Sequence, residues 1–168
     1  FSGINDWNSK TDFLYIPNQK HKIKFGSNFT YHIFTPGNAT GRSGEVEFIP
    51  DEIFKQYSNE AALYLSDDFE INDVLKLNIG LRYSSFQHSG DINPISFLTN
   101  EIQLDTNNHY RHIEPRFSMR YKLNPTASIK ASYSENYQYI HLASTGSVSL
   151  PTDLWVPSTN LVKPKFSK

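Results

Sequence analysis

Four of the six histidines, His88, His109, His112 and His141, and the charged residues between them are the groups in this 168-residue chain with the most chemical reach. Imidazole is a good metal ligand and titrates near neutral pH. His109 and His112 stand three apart, and His88 and His109 bracket one connecting stretch. In an extended strand a spacing of three sends two side chains to opposite faces, which is poor geometry for one metal ion. No metal and no cofactor is expected, and these histidines read as exposed loop residues. A second group is charged: Glu60, Asp68, Lys76, Arg82, Glu114, Arg116, Arg120 and Lys122. Arg82, Glu114 and Arg116 stand out as contacts for a bound partner or solute, because a guanidinium grips a carboxylate at two points. The pair Asp67 and Asp68 beside a turn reads as solvated. No nucleophile, base and orienting group fall together, so the chain is not expected to be an enzyme.

Strands must position these groups. In "LKLNIGLRY", Leu75 to Tyr83, every odd position is apolar and every even one polar or small. That period of two predicts a strand with one oily and one wet face. Five further stretches behave alike. A weak one spans Trp7 to Pro17, where Leu14 and Ile16 interrupt the wet side. A clear one runs from Lys22 to Phe34, and a third from Tyr57 to Phe69. "HIEPRFSMRYKL" sets Ile113, Phe117, Met119, Tyr121 and Leu123 against Glu114, Arg116, Arg120 and Lys122. "ASIKASYSENYQY" sets Ile129, Ala131, Tyr133, Tyr137 and Tyr139 against serines, Lys130 and Asn136. The eight charged residues above fall on the wet side, and Arg82, Glu114 and Arg116 lie on adjacent strands. Pro115 cannot donate to a ladder, so a bulge or a gap in pairing is expected there.

The connections alternate between short and long. Asn18 to His21, Ile71 to Val74 and Asn124 to Thr126 read as tight turns. Thr35 to Gln56, His88 to His109 and the stretch after Ile140 are long. Several strands run about 12 to 15 residues, whereas globular strands usually have roughly 5 or 6. A tilted membrane-spanning strand needs roughly 9 to 11. Aromatics gather near strand ends: Tyr15, Phe69 and Tyr121 on the short-turn side, and Tyr57, Tyr83, Phe86, Tyr110, Tyr137 and Tyr139 on the long-loop side. They read as two interfacial belts. Composition agrees: 12 Phe, 10 Tyr, no Cys and a formal net charge of -1 give no disulfide framework and no basic run for nucleic acid. No 18-residue apolar run encodes a membrane helix, which says nothing against a barrel. The fold predicted is all-β, an antiparallel up-and-down transmembrane β-barrel segment of about six strands, with short periplasmic turns and long extracellular loops. A soluble β-sandwich remains open, since it too alternates along its strands.

"NEAALYLSDDFEINDVLKLNIGLRYSSF", Asn59 to Phe86, and "HIEPRFSMRYKLNPTASIKASYSENYQYIHL", His112 to Leu142, resemble hairpins of the barrel domain of TonB-dependent outer-membrane receptors. "DLWVPSTNLVKPKFSK", Asp153 to Lys168, resembles the loop leading into a further strand of that family. The resemblance implies a 22-stranded barrel around an N-terminal plug, placed in the outer membrane of a Gram-negative bacterium. It implies import of a scarce solute, of the siderophore, cobalamin or glycan class, with energy delivered through TonB. Outer-membrane lipid, TonB, the plug, a surface lipoprotein and the barrel assembly machinery are the partners to expect. Residues 1–168 then read as part of a barrel domain, an internal section without the plug, because six strands leave two edges that lipid does not tolerate. A passive porin or an adhesin-type barrel is the competing function.

Overall fold

The computed structural model describes residues 3–35, 41–43, 46–48, 55–89, 107–145 and 152–168. Its centre is one six-stranded sheet. In chain order the elements are β1 (Gly3–Asn18), β2 (His21–Thr35), β3 (Gly41–Ser43), β4 (Val46–Phe48), β5 (Gln56–Glu70), β6 (Leu75–Ser89), β7 (Asn107–Asn124), β8 (Ala127–Ser134), β9 (Asn136–Gln138), β10 (Ile140–Thr145), β11 (Thr152–Pro157) and β12 (Lys165–Ser167). The sheet order is β1-β2-β5-β6-β7-β8 with every neighbour antiparallel, an up-and-down meander that is not closed on itself. Three short pairs, β3 with β4, β10 with β11 and β9 with β12, lie at the loop side.

Each short turn is fixed by an asparagine side chain that mimics backbone. The Asn18 carbonyl oxygen accepts from the amides of Lys20 and His21 at 2.8 and 3.1 Å. Asn72 does the same for Val74 and Leu75 at 3.1 and 2.8 Å. Asn124 accepts from the Thr126 amide at 3.0 Å. These turns set the register, and register decides which residues share a face.

The two faces are inverted relative to a soluble sheet. Ile79 stands 51% exposed, Leu63 61% and Ile113 60%, whereas Ser84 and Glu114 on the other face are 1% and 3% exposed. No second sheet covers the apolar side among the described residues. The unbroken outward apolar run on β6, Leu75 to Tyr83, is nine residues long, and its ladder partners on β7 are Tyr121 to Ile113. That matches the roughly 9 to 11 residues of a tilted spanning strand. Above it the outward positions turn polar, with Ser85 and Gln87 on β6 and Arg111 and His109 on β7. The strands are longer than the membrane needs, 15 residues in β6 and 18 in β7, and so project beyond it on the loop side.

Pro115 ends a ladder. Its carbonyl accepts the Glu135 amide at 3.0 Å, so its missing N–H also faces β8, since both groups of a strand residue point the same way. Pairing of β7 with β8 stops at Arg116 and Ser134. On the opposite side β6 continues past Pro115 to the pair of Ser89 and Asn107. The expected gap is therefore one-sided, and it frees the chain after Ser134 to leave the sheet.

Gly26 marks a close approach on the wet face. A Cβ there would fall 2.2 Å from the Thr11 carbonyl oxygen and 2.6 Å from the Tyr64 hydroxyl, so no side chain fits without moving a strand. At Gly80 the nearest atom, Ser66 Cβ, would be 3.2 Å away. Gly26→Ala is expected to destabilise the barrel by about 1–3 kcal/mol, the range of overpacking, and Gly80→Ala by less. Urea unfolding in lipid vesicles measures both. Ile79→Arg is expected to cost about 2–4 kcal/mol, the range for a cation at the bilayer midplane. Asn78→Ala forfeits one hydrogen bond to the half-exposed Asp68 and is expected to cost about 1 kcal/mol or less. Equal costs at the two positions would contradict the facing.

Candidate functional site

Ladder partners share a face, so register places the charged groups together. Arg82 on β6 is the direct partner of Glu114 on β7, and Arg116 sits two residues along from Glu114. Arg82 Nε lies 3.8 Å and Arg116 Nη2 3.7 Å from Glu114 Oε2, while Arg82 Nη2 reaches Glu60 Oε1 at 3.6 Å. These separations exceed hydrogen-bond length, so the two arginines neutralise two carboxylates without forked bonds. Glu114 is almost wholly buried. A buried carboxylate needs opposite charge and donors close by, and here two guanidinium groups and Ser84 supply them. All three residues singled out in the sequence thus meet on the inward face. Three more ion pairs lie along the same face: Lys24 with Asp68 at 3.0 Å, Lys76 with Glu70 at 2.6 Å, and Lys10 with Asp12 at 3.1 Å.

Above Glu114 runs a chain of hydroxyls. Ser84 Oγ donates to Glu114 Oε1 at 2.6 Å. Its single proton is then used, so the Tyr139 hydroxyl, 2.6 Å away, must donate to Ser84. That in turn uses the Tyr139 proton, so His112 Nδ1, at 2.9 Å, carries the hydrogen and donates to Tyr139. The order His112 to Tyr139 to Ser84 to Glu114 satisfies every member in only this direction. Tyr139 also stacks on Phe86 with ring centres 5.0 Å apart and planes 1° from parallel, and both rings are buried. His112 lies against Tyr137, 3.6 Å between ring centres. Tyr139 reaches the inward face because the chain leaves the sheet at Pro115. The segment after β11 holds it there: the Ser158 amide donates to the Tyr139 carbonyl at 2.7 Å and the Tyr110 hydroxyl donates to the Thr159 carbonyl at 2.8 Å.

Several sequence expectations change here. His109 is exposed on the outward face, as a loop-side histidine should be, and bonds Ser85 at 2.8 Å. His88, by contrast, is 1% exposed and bonds Ser58 at 2.9 Å, because even positions of β6 face inward. His112 is half-buried in the aromatic stack, and His141 bonds Ser158 at 3.1 Å; desolvation, with Lys165 nearby, holds the His141 imidazole below its ordinary pKa. No group of three or more His, Asp or Glu with metal-binding geometry occurs among the described residues. Asp67 and Asp68 part to opposite faces, Asp67 to His21 at 2.6 Å and Asp68 to Lys24 and Asn78. The loop-side aromatic belt also divides. Tyr57 and Tyr83 face outward, but Phe86 and Tyr110 occupy even positions, and Tyr139 bonds the inward wall, so these three line the interior. Ser84 was legible as an inward residue from the alternation. Tyr139 was not, because nothing local announces that its strand leaves the sheet.

Comparison with curated proteins and with solved structures gives no match. A family model does match: TonB dependent receptor-like, beta-barrel, over residues 1–164. The match spans nearly the whole chain, and a one-sheet meander with its apolar side exposed and its charges inside is what such a barrel wall requires. The chain belongs to the TonB-dependent receptor β-barrel family of the bacterial outer membrane.

Proposed function

We propose that this chain is an internal section of a TonB-dependent transporter that imports a scarce solute, of the siderophore, cobalamin or glycan class, through a barrel closed by strands beyond these 168 residues. TonB-dependent outer-membrane transport is the work of the family. What supports the importer over a passive porin or an adhesin is the inner wall. Arg82, Glu60, Glu114 and Arg116 form a charge-balanced cluster on it. An open porin needs no covering of its wall, yet here Tyr139 and the segment around Ser158 lie over it. In this reading Arg82 and Arg116 contact the plug domain of the parent chain or the solute as it passes, and Glu114, buried between them, holds them in place. A surface lipoprotein over the loops and the barrel assembly machinery complete the partners.

Uptake by cells carrying the full-length protein tests the reading. Accumulation of the solute should disappear when TonB is deleted or the proton gradient is collapsed. Uptake that persists without TonB would make the barrel a passive pore. At limiting solute, Arg116→Ala should lower the uptake rate while leaving the amount of folded barrel in the membrane unchanged; an unchanged rate would remove Arg116 from the path. Orientation is read separately, because the chain has no native cysteine. A membrane-impermeant maleimide added to intact cells should label Gln87→Cys, above the outward apolar band, and spare Asp73→Cys in a short turn. The reverse pattern would place the turns outside.

A further inference from the structure

The outward face of the six-stranded sheet carries almost no charge. Among its strand residues only Asp67 on β5 and Arg111 on β7 bear a formal charge there, and the other charged side chains fall at inward positions. The two stand toward opposite ends of the strands. Asp67 lies toward the short turns, in the ladder row of Tyr15, Ile23 and Ile79. Arg111 lies on the loop side, in the row of Ser85. From Ile79 to Ser85 along β6 is about 20 Å at roughly 3.3 Å per residue. Each charge has a histidine beside it on the same face, but the two histidines differ in effect. His21 Nδ1 bonds the Asp67 carboxylate at 2.6 Å, so the anion is partnered within the chain. His109 presents both ring nitrogens to the Arg111 guanidinium at 3.3 Å, and Ser85 bonds that ring at 2.8 Å. An imidazole has no negative charge to give, so it orients the guanidinium without neutralising it. Among the described residues no carboxylate pairs with Arg111, and its side chain is exposed.

We infer that Arg111, oriented by His109 and Ser85, binds the phosphate monoester of a lipid headgroup in the leaflet on the loop side. The depth fits. Ile113, the ladder partner of Tyr83, is the last apolar outward residue of β7, and Arg111 stands two positions beyond it. On a strand tilted by about 40° that is about 5 Å above the hydrocarbon edge. The headgroup layer on each side of a bilayer is roughly 5–8 Å deep. Ile113 and Tyr83 directly below lie in hydrocarbon, so whatever touches Arg111 stands on top of acyl chains, as a headgroup does. The chemistry fits as well. A planar guanidinium offers parallel N–H donors at the spacing of phosphate oxygens and is weakly hydrated. A phosphate monoester carries a charge of about −1.5 to −2, whereas the diester of a zwitterionic headgroup has its own ammonium close by. The inference rests on the facing of the sheet and is separate from solute import: a lipid held at Arg111 would be detected whether or not anything is transported.

Native mass spectrometry of the full-length protein in detergent micelles, with diphosphoryl lipid A added as the probe, tests this. The wild-type barrel should retain the lipid. Arg111→Gln should weaken retention by about tenfold or more, the range for losing a hydrogen bond to a charged group. Arg120→Gln, which removes a cation from the inward face, should leave retention unchanged. Wild-type protein should hold lipid A stripped of both phosphates as weakly as Arg111→Gln holds the intact lipid, a comparison that needs no variant to fold. Resistance of the barrel to unheated SDS reports that each variant is folded. Equal retention by wild type and Arg111→Gln, an equal loss in Arg120→Gln, or full retention of the phosphate-free lipid would overturn the proposal. Displacement of the lipid by millimolar inorganic phosphate would make this a site for the free ion and would overturn it as well.

Discussion

Hydrocarbon against one face of the sheet is the constraint on which the rest of this structure depends. Leu63, Ile79, Leu81, Ile113 and Ile129 are more than half exposed, and among the described residues no second layer of protein covers them. In water such a face would collapse or aggregate; in lipid it is the stable arrangement. The same constraint acts on the backbone. With no water in the bilayer core, every amide and carbonyl must find a partner within the sheet. The three ladders that join β2, β5, β6 and β7 are unbroken, and the short turns complete the pairing through Asn18, Asn72 and Asn124. Strands β1 and β8 each have one unpartnered edge within the main sheet, and further strands must meet them for the wall to close.

Exclusion from lipid drives the charged groups to the other side, where they are crowded and pair with one another. Glu114 illustrates the consequence. It sits at the loop-side end of the membrane-spanning band, out of water, between two arginines and a serine. The hydroxyl chain that ends on it begins at His112 and passes through Tyr139, a residue that belongs by sequence to the next strand. Pro115 makes that possible by withholding one amide hydrogen. A residue that looks like a defect in a spanning strand therefore shapes the inner wall, by releasing the segment that lines it.

Most of the wall was legible in the sequence because a strand side chain has only two directions to face. The alternation in "LKLNIGLRY" and "HIEPRFSMRYKL" was enough to put Arg82, Glu114 and Arg116 on one inward surface, and the asparagines of the short loops were enough to place the turns. The failures share a cause. Aromatic character alone places Phe86 and Tyr110 in the outer belt, although their even positions point inward. The long connection after β6 makes His88 read as an exposed loop residue, although the strand carrying it extends to Ser89. Burial of Phe86 and Tyr139 depends on their stacking on each other, and that contact joins residues about 50 positions apart, as between Ser84 and Tyr139. Local pattern reports the direction of a side chain and is silent about such a cover.

The claim that the greasy face meets hydrocarbon is most directly measured by spin labels attached one at a time to cysteines from position 75 to 83 in the full-length barrel, reconstituted in lipid. Oxygen concentrates in the acyl chains and a charged nickel chelate stays in water. The account predicts collision with oxygen at 77, 79 and 81, and markedly less at 76, 78 and 80, alternating without a break along β6. Uniform access along the strand, or nickel favoured at the odd positions, would contradict it.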